Sequence, residues 1–147
     1  MPEVKSVAIP FGREWEIQRL KSALSHLILQ VPLTEAQKAF NRRWIEALRS
    51  GTYQQGQCLL RAFGAAQDGS EDLYCCVGVA CDLYDPTAWE KDLVVRAWEY
   101  HGLGATVSNA GHEEFLELTG FSRLSLAQAN DAGVTFEEIA DALEELL

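Results

Sequence analysis

The feature that most constrains this chain is its central run, Tyr74-Cys75-Cys76-Val77-Gly78-Val79-Ala80-Cys81-Asp82-Leu83-Tyr84. Its one charged residue, Asp82, follows the last of three cysteines. A run this apolar leaves water whatever its backbone does, so the flanking segments must pack around it. As a helix it would stack Cys75, Val79 and Leu83 on one face. As a strand it would set Cys76, Gly78 and Ala80 opposite Cys75, Val77 and Val79. Both faces are apolar, so periodicity alone does not choose. Gly78 and Ala80 would admit a neighbouring segment at close range, which favours a short buried helix ended by the turn residues Asp85-Pro86-Thr87.

The flanks read as helices. Trp15, Leu20, Leu24, Leu27 and Ile28 recur at three- and four-residue steps between Arg13 and Gln30, and Pro32 stops that pattern. Thr34 is placed to cap a second helix, with Glu35 in its first turn, Phe40, Trp44, Ile45 and Leu48 on one face, and Gly51 as a left-handed cap. Residues 52–57 are polar and Gly-punctuated, 58–61 suit a short strand or turn, and 64–72 read as a loop. Residues 88–101 read as an amphipathic segment using Trp89, Leu93, Val94, Ala97 and Trp98. A short helix is expected over 112–119, closed by Gly120, and a helical turn from Ser125 to Ala129. Thr135-Phe136-Glu137-Glu138 is a capping box opening a last helix that buries Phe136, Ile139, Ala140, Leu143 and Leu146 or Leu147. The expected fold is mainly α: a compact single domain of short helices around the buried cysteine segment, with at most a small β element. A leader at residues 1–12 belongs to an N-terminal extension, 1–39, carrying the first amphipathic helix; 40–147 is the core.

At 147 residues the chain can bury a core without disulfides or metal. Four cysteines in a chain of this size do not form a disulfide framework, and the adjacent pair Cys75 and Cys76 would be strained if joined. The histidines His26, His101 and His112 lack metal-ligand spacing, so neither metal nor cofactor is expected. No apolar stretch reaches bilayer-spanning length. The start, Met1-Pro2-Glu3-Val4-Lys5, lacks the pattern of a signal peptide, and a cytoplasmic protein is expected.

Net charge is −10 and uneven. Residues 1–61 carry nine Lys/Arg and five Asp/Glu, a net of +4; residues 62–147 carry three and seventeen, a net of −14. That balance opposes general nucleic-acid binding, which needs a basic surface. It leaves a local anion site in the basic part, or an acidic face offered to a basic protein.

Three stretches together resemble a family of small proteins of bacteriophages, prophages and bacteria. They are Trp44-Ile45-Glu46-Ala47-Leu48-Arg49-Ser50-Gly51-Thr52-Tyr53-Gln54-Gln55-Gly56, the run Tyr74 to Leu83, and Leu126 through Asp141. Val77 and Ala129 depart from the usual Leu, both as core changes. The resemblance spans about residues 40–147 and implies a phage-borne accessory protein rather than a particular chemistry.

Several residues are candidates for a site. Arg49, Tyr53, Gln54 and Gln55 combine a cation, a phenol and amides beside Gly56, suited to gripping a polar anion. Asp82 would pair Arg49 or Arg61 as a structural bridge. Asn130 and Asp131 would serve as a turn or face a pocket. Cys75 or Cys76, at a helix N-terminus, would make a nucleophile with His101 or His112 as base and Asp82 to orient it, although structural burial is the favoured role. The leading expectation is a non-enzymatic phage or prophage binding protein, a counter-defence factor holding a small anionic, nucleotide-like ligand. The alternatives are a cysteine-dependent hydrolase and an acidic decoy binding a host defence protein; a homo-oligomer is left open.

Overall fold

The computed structural model describes residues 12–64, 71–106 and 109–147. The expected leader at 1–12 and most of the 64–72 loop lie outside the described residues. Among the described residues, six helices and five strands follow in the order α1 (Arg13–Gln30), α2 (Glu35–Arg49), β1 (Gln54–Gln55), β2 (Arg61–Ala62), β3 (Leu73–Tyr74), α3 (Cys76–Tyr84), β4 (Trp89–Asp92), β5 (Ala97–Tyr100), α4 (His112–Thr119), α5 (Arg123–Asp131) and α6 (Phe136–Glu144).

The central run is a helix, and it is sealed. Cys76, Val77, Val79, Ala80 and Cys81 are all 0% exposed. Cys75 caps α3, its sulfur accepting the Gly78 N–H at 3.3 Å. Gly78 lies against the backbone of Leu60, and a Cβ there would overlap the Leu60 carbonyl oxygen. The glycine is therefore required by close approach of two backbones, the reason small residues were expected here.

α2 packs against α3, α4 and α6. Thr34 and Gln37 form its capping box, and Gly51 follows its end at φ 78°. Trp44 is fully buried on it, packs edge-on against Phe115 and donates its indole N–H to the Cys76 carbonyl at 3.0 Å. That bond satisfies one buried carbonyl and fixes α2 against α3. α1 lies on α5 and α6 and buries Leu20 and Leu24 in the same core. α6 opens with the expected capping box, Thr135 with Glu138. α5 is longer than the expected Ser125–Ala129 turn, with Ser122 at its N-cap and no side-chain cap bond.

The mainly-α expectation is overturned: this is an α/β fold with a five-stranded mixed sheet, ordered β1-β3-β2-β5-β4. β1 pairs β3 in parallel, and every other pairing is antiparallel. Three of the strands are two residues long, too short to leave an alternating pattern. The expected amphipathic segment at 88–101 is a hairpin, β4 with β5, pairing Trp89 with Tyr100 and Lys91 with Trp98. Its turn is set by Asp92, whose carboxylate accepts the N–H groups of Val94 and Val95 at 3.0 and 3.3 Å. Arg96 takes a left-handed φ of 56°. An aspartate bonding its own backbone two and three residues on stabilises a turn in place of a continuing helix.

Candidate functional site

Asn130, at the end of α5, is 0% exposed and joins three segments. Its Oδ1 accepts from Gln55 Nε2 at 2.9 Å and from the Cys76 N–H at 3.1 Å, and its Nδ2 donates to the Gly56 carbonyl at 2.7 Å. Gln55 also donates to the Val134 carbonyl at 2.8 Å, and its Oε1 accepts the Phe136 N–H at 2.9 Å. Gln55 thereby meets one of the orphan N–H groups at the start of α6, and Asn130 meets one at the start of α3. Asp131 points the other way, accepting the Cys58 N–H at 2.8 Å where Cys58 holds φ at 72°. So Asn130 and Asp131 end a helix and tie the chain at 55–58 to it; they are not only a turn.

Asp82 pairs neither Arg49 nor Arg61. Its oxygens accept the Tyr53 O–H at 2.5 Å and the Trp89 indole N–H at 2.9 Å. Burial, reinforced by this bond to the carboxylate, pushes the Tyr53 hydroxyl well above the usual phenol range, so it stays a donor. Arg49 turns to α6 instead, bonding Glu144 at 3.1 Å and Asp141 at 2.6 Å. Those hydrogen bonds, Glu144's the larger, hold its guanidinium firmly charged. Gln54 lies exposed on β1. The structure thus brings Tyr53 together with Asp82, and Gln55 with Asn130, but sends Arg49 elsewhere.

The thiols are sealed. Cys75 does stand at a helix N-terminus, yet burial outweighs the backbone hydrogen bonds there and pushes its pKa up to about 11. Burial likewise raises Cys76 well above the ordinary thiol range, and its sulfur donates to the Leu126 carbonyl at 3.5 Å. Desolvation raises Cys81 too. His101 is exposed beside Glu90 at 3.4 Å, and His112 is exposed at the start of α4. Neither is hydrogen-bonded to a thiol among the described residues, and among them no three His, Cys, Asp or Glu side chains converge on a metal position.

A cluster that is scattered along the sequence lies on one face of the sheet. Arg61 of β2 sits over three rings, 4.1 Å from the centre of Trp98, 5.1 Å from Tyr74 and 5.4 Å from Trp89. Asp72, 4% exposed, anchors it: one oxygen accepts Arg61 Nε at 2.9 Å and the Trp98 indole N–H at 2.6 Å, the other the Gly64 N–H at 2.9 Å. A buried charge held this way is compensated by both its ion pair and its hydrogen bonds. Lys91, opposite Trp98 on β4, places a second cation 5.4 Å from the same ring, and Phe63 packs edge-on to it at 6.0 Å. Trp98, Phe63 and Arg61 are half-buried and Lys91 is exposed. Chemically this is a solvent-reachable aromatic face carrying two cations and one buried carboxylate. The sequence offers Arg61 as a partner for Asp82, and Trp89 and Trp98 as core rings or a stacking surface for a planar base; no spacing joins them to Asp72 and Lys91.

A family model described as a domain of unknown function (DUF8296) matches residues 36–108, just under half of the chain. The match takes in α2 from its second residue, the sheet and α3, and stops short of Asn130. No curated protein and no solved structure matches the chain. Among the described residues no helix is long and apolar enough to cross a membrane.

Proposed function

We propose that this protein is a non-covalent binding protein that holds a small anionic, planar ligand of the nucleotide kind on the sheet face around Arg61, Lys91 and Trp98. The observation that carries this reading is the pair of cations over one indole ring in a chain of net charge −10. Asp72 pairs Arg61, and Lys91 adds a second positive charge beside the same ring, available to an anion. The half-buried rings beside them give a planar group an apolar edge to lie against. The grip moves from Arg49, Tyr53 and Gln55, whose polar atoms are engaged within the fold, to this face, where Lys91 is exposed beside Trp98. Sequestration needs affinity and no nucleophile, and the burial of Cys75 and Cys76 weighs against the hydrolase reading. The resemblance of its motifs to phage and prophage proteins supports reading such a binder as a counter-defence factor that removes a nucleotide-like signal in a host cytosol.

Tryptophan fluorescence titrated with nucleoside mono-, di- and triphosphates and cyclic nucleotides tests this. Saturable quenching by at least one of them, weakened about tenfold or more in Lys91→Glu, is the expected result. Lys91 is exposed, so that variant leaves the core alone. No saturable change with any of the panel would remove the proposal.

A further inference from the structure

The end of the β4–β5 hairpin is apolar where a turn is ordinarily polar. Leu93, Val94 and Val95 are 75%, 92% and 49% exposed. The turn holds its shape through Asp92 and Arg96, so these side chains stand in water on a self-supported loop. Lys91 and Arg96 flank them, and they are two of only three Lys/Arg residues in the whole of 62–147. The tip is therefore an apolar prong with a positive collar on an acidic protein.

The same chain carries the complement. Between the end of α1 and α4 lies a groove of about 270 Å³, lined by Leu27, Val31, Leu116 and Gly120 and rimmed by Glu113 and Glu117. Its apolar floor and negative rim match the prong in polarity and in sign. We propose that the hairpin tip of one molecule docks in the α1–α4 groove of a second copy, with Lys91 and Arg96 facing Glu113 and Glu117. Prong and groove are different patches, so the contact is heterologous: each docked molecule still offers one open prong or one open groove, and assembly continues head to tail. One prong in one groove is a small interface, which makes the association weak and concentration-dependent, and its charges make it sensitive to salt. An anionic bilayer would also attract a basic apolar prong, but a net charge of −10 opposes the approach.

Sedimentation velocity on the full chain, from about 10 µM to about 1 mM, reads this out. The wild type should grow in mass with concentration and shrink again with added salt. Val94→Asp, which spoils the prong, and Val31→Asp, which spoils the groove, should each remain monomeric. Both positions are exposed, so both variants should fold. Mixed in equal amounts the two variants should form a dimer and nothing larger, because one intact prong then meets one intact groove. A wild type that stays monomeric throughout overturns the proposal, as does either variant assembling like the wild type or a mixture that stays monomeric. Val94-dependent co-sedimentation of a monomer with phosphatidylserine–phosphatidylcholine vesicles would reassign the prong to a lipid surface and overturn it equally.

Discussion

Two apolar runs in this molecule meet opposite fates. Cys76 to Cys81 is sealed, while Leu93 to Val95 stands in solvent. Side-chain hydrophobicity does not separate them; their neighbours do. The first run is met on all sides, by the Leu60 backbone at Gly78, by Trp44 from α2 and by Asn130 from α5. The second is bent by Asp92 into a turn, which projects its side chains away from the core. An apolar run is a candidate for burial, and tertiary neighbours decide whether burial follows. Where they leave one bare on a rigid turn, it is a surface for another molecule.

The contrast can be broken hardest at Gly78. Gly78→Ala should cost about 3 kcal/mol or more, since backbone must move to accept the methyl, and urea unfolding would show the lost midpoint. Asn130→Ala comes next, at roughly 2–4 kcal/mol, because the buried Cys76 N–H and Gly56 carbonyl both lose their partner. Hydrogen exchange should show the opening at the start of α3.

Alkali should attack the buried run as well. The Cys75 thiol has an ordinary value of 9.0 when exposed and about 11 in the fold, so the folded state keeps its proton longer than the unfolded one. Its contribution is intact below pH 9 and disappears as pH rises through 11, about 2–3 kcal/mol in all. Cys75→Ala should flatten part of that slope in denaturation midpoints taken at stepped pH. The smallest effect belongs to the exposed run: Val94→Asp should leave stability within about 0.5 kcal/mol by the same unfolding assay. A large loss there would mean the hairpin tip is covered after all.

What the sequence disclosed was local. Thr34 as a cap, Gly51 after α2 and the Thr135–Glu138 box announce helix ends through bonds only a few residues long, and the structure has all of them. The closeness required at Gly78 was legible too, as a small residue in a run that had to be buried. The sheet was not, because pairings such as Gln54 with Leu73 and Ala62 with Ala97 are made between distant segments. The hairpin was hidden by Leu93 and Val94, which imitate the apolar face of a helix while lying in a turn. Tyr53, Gln55, Asp82 and Asn130 stand out in the sequence, but for separate roles: a ligand grip, a bridge to arginine and a turn. Their pairing does not show there, since Gln55 and Asn130 lie 75 residues apart. Arg61, Asp72, Lys91 and Trp98 come from four separated places and have no spacing to betray them.

The Asn130 junction also orders events in time. The Cys76 N–H and the Gly56 carbonyl are made early, and the side chain that satisfies them lies 54 and 74 residues further on. A ribosome adding roughly 5–20 residues per second needs about 3–11 s to travel from Cys76 to Asn130. Throughout that interval the most apolar stretch of the chain exists without its lock, so the nascent protein must be shielded or remain unfolded until α5 arrives.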